Sequence, residues 1–439
     1  MRTVWIAIAL ACAAGAAGAQ QPDSTRRRPA PSDSAARADS AAAADSAALV
    51  REFEHAQGAQ GAQGDTSRPP AAAPAQGAPI NPRLLPDVSA VGDLIGDLSP
   101  KGSTQEDGTR FGVREIEVAL QAAVDPYFRG DVFLGISDAE GIAVEQAYLT
   151  ATALPWGLEA RLGRYLMPIG KQNTTHRHDL HTIEYPYVIQ RFFSPEGLKG
   201  TGVYVSKIAS PFGFYQELIV TGVNRFGEAP DGLQTAEPVN KQLSGMGYSA
   251  RLRNYWDLSE ASNIELSFSG ITGDREQPIL GLPDEPNAVA ARQSVIGTDF
   301  TYRWRPLQQG LYKSFILQAE VMRQLNERRP DLPSAAIYEG PKRDNTGAYL
   351  FARWQLTRRL YLGGRYDYLQ DPLANGERLD AASGYLEFFP SEFSKLMVGY
   401  ERTMPSAGYR ALGIEGSERL NRILLQATFA LGPHKPHPF

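Results

Sequence analysis

The chain has 439 residues, a formal net charge of −5, 10% aromatic residues, 42 glycines and a mean hydropathy of −0.32. A balance this mild speaks against nucleic acid or a strongly anionic surface as the partner. No stretch beyond the N-terminus reaches the about 18 consecutive apolar residues of a membrane helix, and the single cysteine, Cys12, provides no disulfide framework.

In chain order, Arg2 is followed by "VWIAIALACAAGAAGA", an apolar run that ends in small residues. Ala17-Gly18-Ala19 fits an A-x-A cleavage site, so residues 1–19 are predicted to be a signal peptide, with Gln20 the first mature residue. Cleavage there removes Cys12 and leaves no thiolate metal ligand. Residues 20–80 are rich in Ala, Ser, Gln, Pro and Asp, with "DSAA" beginning at Asp33, Asp39 and Asp45 and "GAQGAQG" at 58–64. Such a composition buries too little apolar area to offset chain entropy, so a disordered spacer is expected.

From residue 81 the pattern becomes that of strands, with side chains alternating between two faces. In "REIEVALQAAVD", Ile116, Val118, Leu120, Ala122 and Val124 share one face, and Glu115, Glu117 and Gln121 the other. "TDFTYRWRP" sets Phe300, Tyr302 and Trp304 against Asp299, Thr301, Arg303 and Arg305. "RILLQATFAL" aligns Ile423, Leu425, Ala427, Phe429 and Leu431. About sixteen such segments (14–18) are expected. Their connections alternate between short turns, such as "LPWG" at 154–157 and "SPFG" at 210–213, and mostly long loops, such as 167–199, 224–245 and 324–346.

An exported chain with this alternation is expected to be all-β: a transmembrane antiparallel barrel over 81–439, with a disordered N-terminal arm on the periplasmic side. The reason is hydrogen bonding. In hydrocarbon every backbone group must find a partner within the protein, so a sheet must close on itself. Aromatics at strand ends (Trp156, Phe212, Phe214, Tyr255, Trp256, Trp304, Tyr361, Phe388 and Phe389) are expected to form interfacial girdles. The membrane partner is then outer-membrane lipid.

Four stretches, "PDVSAVGDLIGDLSP" (86–100), "REIEVALQAAVDPYFRGDVFLGIS" (114–137), "GRYLMPIGKQNTTHRH" (163–178) and "RFFSPEGLKGTGV" (191–203), resemble phosphate-selective porin O/P-like outer-membrane proteins and an uncharacterised bacterial subgroup of that superfamily. The resemblance implies a sixteen-strand barrel, commonly a homotrimer, that passes small hydrophilic solutes or ions by passive diffusion. The phosphate selectivity of the type members does not transfer, because their clustered lumenal lysines and arginine ladder have no residue-by-residue match here. A substrate-specific transporter or receptor barrel without a plug is the alternative. An outer-membrane enzyme is a weaker one: no G-x-S-x-G occurs, and no catalytic residue or cofactor is expected.

Inward positions read from the alternation include Arg161, Arg251, Arg253, Arg303, Arg305, Arg353 and Arg365. Against them stand Glu115, Glu117, Glu159, Glu265, Asp299, Glu320, Asp367, Glu387 and Glu401, so the lumen is expected to be mixed in charge and nearly balanced. The longest connection, 167–199, carries "KQNTTHRHDLH" at 171–181, in which Lys171, Asn173, His176, His178 and His181 are candidates to narrow the pore. His176 and His178 could also offer imidazoles to Zn or Cu. With Arg177 between them, a hydrated stretch that lines a constriction or anchors the loop is the preferred reading, a plain exposed loop the next, and no metal is assigned.

Overall fold

The computed structural model describes residues 86–432 apart from 106–107, 138–140, 227–242, 279–287, 327–343, 375 and 414–417. The expected signal peptide, the spacer and the tail residues His434, His437 and Phe439 lie outside the described residues. The described chain forms sixteen strands: β1 (Asp87–Asp97), β2 (Phe111–Ala123), β3 (Phe128–Ser137), β4 (Gly141–Leu154), β5 (Leu158–Leu166), β6 (Lys199–Ala209), β7 (Tyr215–Val223), β8 (Gly247–Ser259), β9 (Ser262–Pro278), β10 (Ala288–Trp304), β11 (Phe315–Asn326), β12 (Asn345–Gln355), β13 (Leu360–Asp371), β14 (Glu377–Ser391), β15 (Ser394–Pro405) and β16 (Asn421–Leu431).

Each strand pairs antiparallel with its sequence neighbours, and β16 returns to β1, from Ala90 opposite Leu431 to Asp97 opposite Leu424. Closure leaves no sheet edge with unpaired N–H and C=O groups, which is the condition for crossing a bilayer with strands. The even strand count brings the start of β1 and the end of β16 to one rim, called here the termini rim. Turns at that rim are short, as between Ala209 and Tyr215 or Gln355 and Leu360; the opposite rim carries the long loops.

Alternation sorts the side chains as expected. Leu162, Val203, Leu218, Phe268, Ile296, Leu350, Leu362 and Leu386 point outward and are exposed, forming an apolar band. Asp93, Glu117, Glu217, Arg251, Glu265, Asp299, Arg353, Asp367, Glu387 and Glu401 point inward and are buried. At the termini rim Phe214 lies 4.8 Å from Trp256 and Trp304 lies 5.7 Å from Trp354, ring centre to ring centre, as an interfacial girdle requires. Tyr361 and Phe389, expected in the girdle, turn inward instead. The Arg353 guanidinium sits 3.8 Å above the Tyr361 ring and 5.9 Å from Phe389, because both lie on the Arg353–Glu387 side of the pleat.

Candidate functional site

The connection from β5 to β6 does not stay at the rim. Its neck is tied by Asn173, whose Nδ2 donates to Met167 O (2.8 Å) and Leu198 O (3.0 Å) while its Oδ1 accepts from Leu198 N (2.6 Å). Gly170 and Gly197 both adopt positive φ there, 62° and 82°. A side chain on Gly170 would overlap the Glu320 carboxylate of β11, and one on Gly197 would meet Asn173. The backbone can turn inward at these points only because they are glycines.

Beyond the neck the segment enters the barrel, with a short helix, α1 (Tyr187–Phe192), at its far end. Ile169, Leu180, Ile183, Tyr185, Val188, Ile189 and Phe192 are all buried. They pack among inward-facing Val295, Met322, Tyr349, Phe351, Leu369, Leu379, Tyr385, Met397 and Leu424 as one apolar core. This differs from the expected hydrated loop. From β10 to β16 the inserted segment packs on inward apolar side chains, and the same core continues to Tyr165, Tyr204, Ile219 and Ile271.

Polar anchors complete the seal. Lys395 Nζ donates to the carbonyls of His178 (2.7 Å) and Leu180 (3.0 Å), and Arg365 Nη1 donates to Glu184 O (2.7 Å) and Thr182 Oγ1 (3.1 Å). Arg114 Nη1 donates to Ile183 O at 3.0 Å. The Tyr187 hydroxyl donates to Glu401 at 2.8 Å, and Tyr187 N donates to Asp367 Oδ1 at 3.1 Å. Loop carbonyls that would otherwise be buried unpaired thus find lumenal cations.

Glu184 ties this system together. It accepts from Arg177 Nη2 (2.6 Å) and from Arg114 Nη1 (3.3 Å). Burial opposes its charge, yet the two guanidiniums hold its carboxyl down at about 2, from an ordinary 4.5. A folded-state value below the unfolded one gives stability that is present above about pH 4.5 and is lost as pH falls towards 2. One such carboxylate contributes about 3 kcal/mol. We expect acidification across that window to weaken the near-ultraviolet circular dichroism of the loop tyrosines Tyr185 and Tyr187 while the far-ultraviolet β signal persists. Glu184→Gln should show the weakened signal already at neutral pH and no acid transition; an unchanged spectrum in the variant would refute this account.

Beside the inserted segment lies a cavity of about 280 Å³ against the wall from β3 to β8. It is lined by Arg161, Lys171, Arg251, Arg253 and His176 together with Phe133, Tyr148, Tyr165 and Tyr204. No carboxylate lines it, although each cation is paired with one nearby. Glu159 accepts from Arg161 (2.8 Å), Glu217 from Arg253 (2.7 Å), Glu265 from Lys171 (2.9 Å) and Asp299 from Arg251 (3.1 Å). The Arg161 guanidinium lies between the rings of Tyr148 (5.4 Å) and Tyr204 (4.7 Å). Burial lowers the Lys171 ammonium, as do Arg303 and Arg251, and Glu265 counters them.

The expected pore-lining residues therefore divide. Arg161, Arg251 and Arg253 face the cavity, and Arg303 stands nearby, 3.7 Å from Glu265. Arg353 and Arg365 are buried beneath the inserted segment, paired with Glu387 and Asp367. Arg305 lies one residue past β10, exposed in the turn, with Nε donating to Gly310 O at 2.9 Å. It is off the inner wall, because the alternation read through "YRWRP" stops where Pro306 breaks the strand. Glu115 and Glu117 line a separate small recess with Glu145, Gln146, Lys199 and His176.

The three histidines are also divided. His176 and His178 meet at Glu117, their ring centres 5.5 Å apart. Asp179 and Glu117 raise His178 to about 9 against the opposing effect of burial. His181 stacks on Phe351 at 6.3 Å, with Nδ1 3.9 Å from Glu387. The expected reading omitted Lys395 and Arg114 as anchors and Tyr148, Tyr165 and Tyr204 as cavity wall; the inward parity of each on its strand was the signal available.

No known protein-family profile matches the chain. A protein of Aquifex aeolicus, described only as uncharacterized, is 27% identical over 348 residues, which is 75% of this chain and 70% of that one. A loop-deleted form of OmpT, an outer membrane protein of Vibrio cholerae, superposes with a TM-score of 0.51 at 10% identity, over 79% of this chain and 99% of its own. The outer membrane channel DcaP of Acinetobacter baumannii gives 0.49 at 12% identity, over 79% and 96%. The chain is a closed sixteen-strand antiparallel barrel, a fold it shares with the outer membrane protein OmpT. That statement concerns fold alone; what passes through the barrel has to be argued from the cavity.

Proposed function

We propose that this barrel is a passive diffusion channel for small hydrophilic solutes, within the phosphate-selective porin O/P-like group that its sequence resembles, and that it favours anions. The observation that carries the reading is the asymmetry of the lumen: one side sealed by an apolar core, the other left open and lined by four cationic side chains without a carboxylate. Water-filled passages discriminate by width and by the charges on their walls. Here a solute would be screened twice, by the room between the inserted segment and the β3–β8 wall, and by the field of Arg161, Lys171, Arg251 and Arg253.

Whatever the balance of the whole lumen, the lining of this opening carries cations and no carboxylate. Export through the signal peptide 1–19, a periplasmic spacer over 20–80 and assembly as a homotrimer belong to the same reading and rest on sequence alone. Liposome swelling is the direct test. Vesicles containing the refolded protein should swell in isotonic solutions of small sugars and of salts of small organic anions, faster for the smaller solutes. Vesicles that behave like protein-free ones would exclude a diffusion channel.

A further inference from the structure

At the edge of the recess beside the cavity, three metal-ligating side chains meet. We infer that Glu117 of β2 and His176 and His178 of the inserted segment form a binding site for one divalent transition-metal ion, zinc first. Glu117 Oε2 lies 2.6 Å from His176 Nδ1 and 4.0 Å from His178 Nδ1, and the three donor atoms all fall within 4.8 Å of one another. Tetrahedral zinc with bonds of about 2.1 Å separates its ligand atoms by about 3.4 Å. The two short edges bracket that value, so side-chain rotation alone would admit the ion. Two imidazoles and one carboxylate are a ligand set that zinc, cobalt and copper favour over magnesium or calcium.

The surroundings of the two rings differ, and the difference is informative. His178 Nε2 faces Asp179 Oδ1 at 3.1 Å. That carboxylate can keep the Nε2 proton while a metal ion displaces the proton on Nδ1, which faces Glu117, the outer-shell arrangement that metal-bound histidines use. His176 is set the other way. Gln146 Oε1 accepts from Leu166 N at 3.1 Å, so the amide nitrogen of Gln146 is the atom that meets His176 Nε2, at 2.8 Å. The proton of His176 then belongs on Nδ1, where it is donated to Glu117. A metal ion would replace that proton and move it to Nε2, where it would confront the Gln146 amide. Gln146 therefore weakens the site, and a carboxylate at the same position would accept from both Leu166 N and His176 Nε2.

The ion would be partly open to solvent. His176 borders the recess and the main cavity alike, which leaves a coordination position for water. Binding would pin residues 176–178 to β2 at the edge of the opening. It does not depend on which solute passes.

The test is a titration of the detergent-refolded full chain with Co²⁺, read by its visible absorption. His55, His434 and His437, which lie outside the described residues, are first replaced by Gln. One equivalent with tetrahedral absorption is expected, retained in His181→Gln and lost in Glu117→Gln and in His178→Gln. Gln146→Glu should tighten binding by roughly ten- to a hundredfold. Each variant is checked for heat-modifiable gel mobility, and Gln146→Glu, which removes no ligand, keeps the test decisive if a ligand variant misfolds. Absence of saturable binding, loss of binding in His181→Gln, or weaker binding in Gln146→Glu would each overturn the site.

Discussion

Replacing residues 168–197 by a two-residue Asn-Gly turn should raise single-channel conductance several-fold and abolish the size limit set by the inserted segment. The neck makes the replacement feasible. Leu166 already pairs with Lys199, and Met167 N donates to Leu198 O at 2.9 Å, so β5 and β6 stand in hairpin register up to 167 and 198. Asn-Gly is the dipeptide that closes such a hairpin with the twist strands require. What disappears is the whole apolar filling of the β10–β16 side, together with its anchors to Lys395, Arg365 and Arg114. The shortened barrel would leave Val295, Met322, Leu369 and Met397 facing water, so lower thermal stability is expected as well. Conductance in planar bilayers with wild-type amplitude would show that the segment does not narrow the path. Should the deletion fail to refold, Tyr187→Ala with Lys395→Ala loosens the same segment while keeping its length, and it should give larger, noisier currents.

Charge reversal at the opening is expected to invert ion preference. Lys171 and Arg253 stand in front of Glu265 and Glu217, two cations against two anions. Lys171→Glu with Arg253→Glu turns that local sum from zero to −4. A unit charge acts on an ion 4 Å away with about 1 kcal/mol in bulk water and about 4 kcal/mol at the effective dielectric near a protein surface. Two reversals therefore change the permeability ratio by at least roughly tenfold. Reversal potentials under a salt gradient should move from the anion side to the cation side, and less so at high ionic strength. Arg305→Gln, off the inner wall, is the control and should leave the potential where it was. If the double variant behaved like this control, the cavity would not be the route of ions.

Most of the frame was legible in the sequence, because a barrel imposes one simple rule on every strand: greasy outward, polar inward, period two. The segments built around Leu120, Phe268, Tyr302 and Phe429 obey it, and closure follows from the need to pair every backbone group. The filling of the lumen was not legible. Parity says which side chains point inward; it does not say what they meet. Val295, Met322, Met397 and Leu424 are apolar and inward, against the rule, and only the structure shows that they pack on Ile183, Tyr185, Val188 and Ile189. The polar opening of the segment, with three histidines in six positions, drew the eye from the apolar "YPYVIQRFF" that follows. Arg353 and Arg365 share a parity with Arg251 and Arg253, and the sequence had no means of separating cations under the segment from cations beside the opening.

The anchors of the inserted segment are unevenly spread around the circumference. Arg114 on β2, Arg365 on β13 and Lys395 and Glu401 on β15 grip it, so that arc of the wall is cross-braced, as a rim is by its spokes. The arc from β3 to β7 borders the cavity and makes few such ties. A cylinder built this way has a stiff half and a compliant half, and its breathing would be concentrated where solutes pass.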